Sequence, residues 1–256
     1  MRRPFWMVLS AALALYLLFW AFLIAATAGF TSPAQVAAIW LRPEIVHAGL
    51  LSLLSCTLAA GLALLIAVPL GYLMARQPIP GKSWLDAALD IPIVLPPMVV
   101  GLCLLIFFQT PMGHAIETLL PMTYTVGGVV LAQWTVAAAF AIRSMRSCFD
   151  QLSPRPEQIA LTLGASDFQA FRLVALPAAR RGMFAAFCIA WARSMGEFGP
   201  ILVFAGATRM KTEVLPTTVW LELSVGNLDA AVAVSLAMIA LSALILVAVR
   251  RSGQQL

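Results

Sequence analysis

Charge is what this sequence has least of. Of its 256 residues only 11% are Asp, Glu, Lys or Arg, against about 25% in an ordinary soluble domain. A surface so poor in charge does not stay dispersed in water; it suits a chain whose solvent is lipid. Histidine is nearly missing: His47 and His114 are the two present, and both fall near the ends of apolar runs. The four cysteines, Cys56, Cys103, Cys148 and Cys188, lie far apart and form no C-x-x-C pair. They read as small buried hydrophobes and give neither a disulfide framework nor a metal site. No H-E-x-x-H, G-x-S-x-G or G-x-x-x-x-G-K-[ST] run occurs, which argues against an intramembrane enzyme and against ATP hydrolysis on this chain. The stretch from Arg143 to Gly182, the longest without a full span, leaves no room for a nucleotide-binding domain. The net charge of +5 gathers at the ends of apolar segments, so it indicates membrane orientation and not nucleic-acid binding.

What is present is apolar residue, 62% of the chain. A membrane span needs about 20 of them in a row. Six segments qualify: 5–28, 47–75, 85–108, 124–142, 183–207 and 228–249. The expected fold is an all-α membrane protein of about six transmembrane helices, with residues 1–256 as a single domain. Arg2, Arg3 and Ala26-Thr27-Ala28 give the first segment the outline of a signal peptide. Its apolar run exceeds the 7–15 residues of such a leader, so it is read as a span. Pro69 is expected to kink the second span, because proline removes a backbone donor. Pro92, Pro96 and Pro97 interrupt the third, which is expected to begin as an interfacial stretch before entering the bilayer.

Orientation follows from Lys and Arg. With the N-terminus inside, the inner segments hold Arg2, Arg3, Arg76, Lys82, Arg143, Arg146, Arg155, Arg172, Arg180, Arg181, Arg250 and Arg251. The outer loops hold only Arg42, Arg209 and Lys211, and Arg193 lies within a span. Twelve against three puts both termini and the 150–177 loop on the cytoplasmic side.

That loop carries its own structure signals. Ser153-Pro154-Arg155-Pro156 opens a helix, with proline tolerated in a first turn, and Glu157 to Leu163 continue it. Gly164 can take the left-handed conformation that ends a helix. Ser166 with Gln169 three residues on is a capping box, so a second helix is expected from Asp167 to about Ala175, stopping at Leu176-Pro177. Ile159, Leu163, Phe168, Phe171 and Val174 are apolar although outside the spans. An amphipathic loop lying on the bilayer is the weaker reading, because it leaves the glycine and Leu-Pro spacing unexplained.

The register Gln158-Ile159-Ala160, three residues, Gly164, nine residues, Val174-Ala175-Leu176-Pro177 resembles the "EAA" loop of permease subunits of binding-protein-dependent ABC importers. Gln158 and Ile159 depart from its first two letters, and Glu157 stands one place before its glutamate. The resemblance implies a type I ABC importer permease fold, with spans two to six as the transport core and the first peripheral. It implies that Glu157, Gln158, Ile159, Ala160, Gly164, Asp167, Leu176 and Pro177 dock a separate ATPase. ATP and magnesium would sit on that ATPase, and this chain would bind no cofactor or metal and be no enzyme. A substrate-binding protein outside, a second permease copy in a homodimer, and lipid complete the implied partners, in a bacterial cytoplasmic membrane. A secondary transporter, which more often shows inverted repeats, has no reason to carry this elbow.

The fifth span holds Arg193-Ser194-Met195-Gly196-Glu197-Phe198-Gly199. Arg193 and Glu197 share a helix face at a spacing of four. Each charge at a span centre costs about 2.5–3.5 kcal/mol on insertion scales. Two readings stay open: they line a translocation path, or they form a structural ion pair. Arg193, Ser194, Thr135 and Gln133 are the candidates for replacing the water of a permeating anion. The run Gly196-Glu197-Phe198-Gly199-Pro200, with Phe204-Ala205-Gly206 and Pro96-Pro97-Met98-Val99-Val100-Gly101, is similar to the oxyanion branch of the family, and most to molybdate permeases. That implies molybdate or tungstate as cargo, with sulfate or thiosulfate as the alternative.

Overall fold

Helix is the regular structure throughout residues 2–253, the part of the chain described in the computed structural model, with side chains described over 5–247. The sequence makes its closest packing from small residues. Helix α3 (Pro43–Arg76) buries Gly49, Ser52, Cys56, Ala59, Ala60, Ala63, Ala67 and Gly71 along one face. Helix α7 (Val126–Gln151) answers with Gly128, Ala132, Ala137, Ala141 and Met145. In lipid there is no hydrophobic force between helices, so close backbone approach across small side chains is what joins them. Helix α11 (Arg180–Met195) adds Ala186 and Ala190 to the same core. The second span passes Pro69 as one uninterrupted helix.

Helix α1 (Arg2–Gly29) is long and apolar enough to cross a membrane, yet none of its most apolar stretch is buried. It touches α13 (Leu228–Gly253) and stands outside the core, as expected of the first span. A short helix, α2 (Pro33–Trp40), packs on α13 and leads into α3.

The third apolar segment is two helices. Helix α4 (Lys82–Val94) and helix α5 (Pro97–Phe108) meet at 104° across Leu95-Pro96. Asp86 of α4 pairs with Arg146, and Asp90 lies 3.8 Å from Arg143, both on α7. These charges hold α4 against the end of the bundle, while α5 alone runs inward. At 1.5 Å per residue, α5 is about 18 Å long, short of the hydrocarbon thickness of about 30 Å. Helix α6 (Pro111–Leu119) follows it, capped by the Thr110 hydroxyl.

The fifth segment also departs from a single helix. Helix α11 ends at Met195, the chain unwinds through Gly196–Phe198, and a π-helical turn covers Ile201–Ala205. Gly206, at φ +73°, ends that turn by donating its N–H to Ile201 O at 2.9 Å. Helix α12 (Leu215–Ser224) then packs against α13 and α3.

Candidate functional site: an elbow and a broken span

The 150–177 loop is an ordered elbow. Helix α8 (Arg155–Thr162) begins with prolines on both sides of Arg155. Gly164 follows at φ +92°, where a side chain would be strained. Ser166 opens helix α9 (Asp167–Ala170): its N–H donates to Gln169 Oε1 at 2.8 Å, and Gln169 N–H donates to Ser166 Oγ at 3.3 Å. The second arm does not stop at Leu176-Pro177. It widens into a π-helical turn over Phe171–Ala175 and continues as α10 (Leu176–Ala178). The wider turn, with Leu176 N–H reaching Phe171 O, gives the proline ring room that an ordinary α-turn lacks. The arm then bends by 70° into α11.

Glu157 faces the bundle, away from solvent. Its carboxylate accepts from Arg76 Nη2 at 2.8 Å, from Arg76 Nε at 3.2 Å and from the Tyr72 hydroxyl at 2.9 Å. The remaining donors of Arg76 reach Phe149 O at 2.8 Å and Leu152 O at 3.1 Å. Phe171 closes over the Tyr72 ring at 4.7 Å, and Tyr72 meets Phe149 edge-on at 5.3 Å. The elbow is thus fastened at both arms to the ends of α3 and α7. A docking surface needs the opposite face, so Glu157 is a fastening residue by position. On that opposite face Leu163 is 83% and Phe168 66% exposed, and Ile159, Leu161 and Leu173 are exposed with them. Gln158, Asp167 and Pro177 are exposed, while Ala160 and Leu176 are half-buried. Phe171 and Val174, expected on the apolar surface, are half-buried as well.

At the broken span, Arg193 Nη2 lies 2.6 Å from Glu197 Oε1. The spacing is that of one helix face, but Glu197 lies beyond the helix end, its N–H bonded to Ser194 O at 3.1 Å. Glu197 is buried, whereas the Arg193 side chain keeps 30% of its surface and sits 5.5 Å over the Phe140 ring. Ser194 and Gln133 are packed inside: the Gln133 amide reaches Ser194 O at 3.4 Å and Cys56 Sγ at 3.3 Å. The Thr135 hydroxyl donates to Leu131 O at 2.8 Å. Of the four residues expected to offer partners to an anion, Arg193 carries the charge and keeps part of its surface exposed, whereas Ser194 and Gln133 are buried within the chain.

The two motif runs of the third and fifth segments touch. A Cβ on Gly101 would come within 2.8 Å of Pro200 Cα, and one on Gly199 within 2.9 Å of Met98 N. Only glycine permits that approach, so the two broken spans are fitted to each other at their breaks.

One charge group was not visible in the sequence. Arg209 Nη2 lies 2.7 Å from Glu222 Oε1 and Arg209 Nη1 4.0 Å from Glu44 Oε1, while Asn227 donates to Glu222 Oε2 at 2.7 Å. Beside it Glu213 is fully buried in the loop between the last two spans. Burial pushes its carboxyl above the usual carboxylate range; Glu222 and Glu44 act the same way, against Arg209 and the Thr218 hydroxyl.

A bent-span bundle with a fastened elbow defines a multi-pass membrane protein of the permease class. Residues 67–255 match the binding-protein-dependent transport system inner membrane components, and the chain belongs to that family. It is 34% identical over 245 residues to a probable molybdenum ABC transporter permease of Haloferax volcanii, covering 94% of this chain and 89% of that one. It is 32% identical over 209 residues to the sulfate transport system permease of Escherichia coli, covering 80% and 75%. A bacterial alginate ABC transporter, crystallised with its pentasaccharide-bound periplasmic protein, matches with a TM-score of 0.74 at 14% identity, over 98% of this chain and 94% of that one.

Proposed function

We propose that this chain is the transmembrane permease of an ATP-driven ABC importer that moves molybdate or tungstate into the cell. The observation that carries the reading is the elbow: two helices about Gly164, bolted to the spans by Glu157 and Arg76, with an apolar face left outward. A rigid pair of helices transmits a displacement that a flexible loop would absorb. The outward face, with Gln158, Ile159 and Asp167, receives a separate ATPase that holds ATP and magnesium, and a substrate-binding protein delivers the ion from outside. Two copies pair to enclose the path, and both termini lie in the cytoplasm. The molybdenum relative over 94% of the chain favours this cargo. The sulfate relative keeps sulfate as the second reading.

The test is uptake of labelled molybdate into vesicles carrying this chain with its ATPase and binding protein. ATP-dependent uptake that tungstate blocks and sulfate does not is the expected result. Strong sulfate uptake moves the chain to the second cargo, and no oxyanion uptake removes both.

A further inference from the structure

Residues 206–214 join the π-helical turn of the fifth segment to α12, at the end of the bundle away from the elbow. The segment is wound about one atom. Thr208 O accepts the N–H groups of Lys211 at 3.1 Å, Thr212 at 3.0 Å and Glu213 at 3.1 Å. That winding sets Arg209 and Glu213, four residues apart, on one turn. It also holds Met210 at φ +59°, a conformation uncommon outside glycine. Arg209 reaches out of the turn to bridge two helices. Its Nη2 lies 2.7 Å from Glu222 Oε1 on α12, and its Nη1 lies 4.0 Å from Glu44 Oε1 on α3.

Glu213 takes no part in that bridge. It is fully buried, and neither of its side-chain oxygens has a hydrogen-bond partner. The donors that could serve it are committed elsewhere. The Thr218 hydroxyl donates to Val214 O at 3.1 Å, and the Arg209 guanidinium faces the other two carboxylates. The charged groups that act on Glu213 are Arg209 of its own turn, Glu222 of α12 and Glu44 of α3. Burial and the two carboxylates favour the neutral acid, against Arg209 and the Thr218 hydroxyl. An ionised carboxylate in this place would be a buried charge without a donor, a state that a side chain escapes by taking a proton or by moving.

We propose that Glu213 is a proton site that latches residues 206–214. With the proton on, Glu213 stays inside, the segment stays wound, and Arg209 bridges α3 and α12. With the proton released to the aqueous phase, Glu213 draws Arg209 off Glu222 and Glu44 or swings out to water, and the bridge is broken. The sign follows from the burial: low pH closes the latch and high pH opens it. The latch goes beyond the transport reading and holds whichever ion is carried.

Thr208 is exposed, so a nitroxide on Thr208→Cys, in a Cys103→Ala background of the full chain in nanodiscs, reports the mobility of the segment. Spectra are taken from about pH 4 to about pH 9, on both sides of the ordinary carboxylate pKa of about 4.3. The label should pass from immobile to mobile in one step centred above that value. Glu213→Gln cannot ionise, so its label should stay immobile and the step should be lost. Glu213→Asp still titrates and should keep the step. Arg209→Gln lacks the bridge and should be mobile at every pH. A wild-type label that does not respond to pH overturns the latch. A step that persists in Glu213→Gln puts the proton elsewhere and overturns the site. An Arg209→Gln label that stays immobile throughout removes the bridge from the latch. Thermal midpoints separate this from packing alone: a merely structural Glu213 moves the midpoint of its Gln variant and leaves the pH response of the label as in the wild type.

Discussion

At the scale of single residues, two buried carboxylates are handled differently: Glu157 is paired with Arg76, and Glu213 has no ion-pair partner among the described residues. Arg76 satisfies a carboxylate and two carbonyls at once. Removing one partner of a buried pair leaves the other unpaired and costs about 3–5 kcal/mol, whereas replacing both with apolar residues costs less. Glu157→Gln or Arg76→Met alone should therefore lower the thermal midpoint of the detergent-solubilised protein more than the double Arg76→Met/Glu157→Leu variant does. Equal losses would mean that the pair is not what fastens the elbow. Glu213 gives a pH effect of definite sign. Its carboxyl is raised in the fold, so ionising it opposes folding: the native state is favoured below the ordinary carboxylate pKa of about 4.3, and that advantage fades as pH rises through the raised value. Glu213→Gln should raise the midpoint by about 2–4 °C at pH 8, with the gap closing as the pH is brought down towards 4. A gap that is constant with pH would show that Glu213 does not titrate differently in the fold. Neither the Arg76–Glu157 pair nor the burial of Glu213 could be read from sequence. Arg76 and Glu157 are 81 positions apart, and the Lys/Arg count that set the orientation uses Arg76 only as a sign.

At the scale of elements, apolar run length and helix-cap chemistry were legible, and breaks within runs were not. Ser166-x-x-Gln169 and Gly164 located the elbow because those signals act over three or four residues. The fifth run was read as one span since its apolar composition continues across Gly196–Gly199, although glycine at both ends of Glu197-Phe198 and the following Pro200 are unwinding signals. The Pro177 stop failed for a similar reason: the π-helical turn over Phe171–Ala175 has no sequence signature. Two variants test what these breaks do. Gly164→Pro cannot adopt φ +92°, so it should cut uptake by about tenfold or more while the protein still reaches the membrane. Normal uptake would remove the elbow from coupling. Gly199→Val sets side-chain atoms where Met98 N lies, and the overpacking should cost about 1–3 kcal/mol, read as a lowered midpoint. An unchanged midpoint would mean that α5 and the broken span are free to separate.

At the scale of the whole molecule, helix length decides where the elbow stands. Helix α3 has 34 residues and α7 has 26, so they extend about 51 and 39 Å, beyond a hydrocarbon core of about 30 Å. The surplus carries Arg76, Arg143 and Arg146 past the lipid at one end, beside α4 with Asp86 and Asp90. At the other end lies the cluster of Glu44, Arg209, Glu222 and Asn227. Both ends are therefore charged, and the bias comes from count and not from presence. Because positive charge holds loops on the cytoplasmic side, the elbow end should be inside and the Arg209 end outside. In a background with Cys103→Ala, the exposed positions Ser153 and Thr208 can each be changed to cysteine. A membrane-impermeant maleimide added to intact cells should label Thr208→Cys and leave Ser153→Cys untouched until the membrane is opened. Labelling of Ser153→Cys from outside would place the elbow where no ATPase could reach it, and with it would fall the transport reading, however well the fold itself matched.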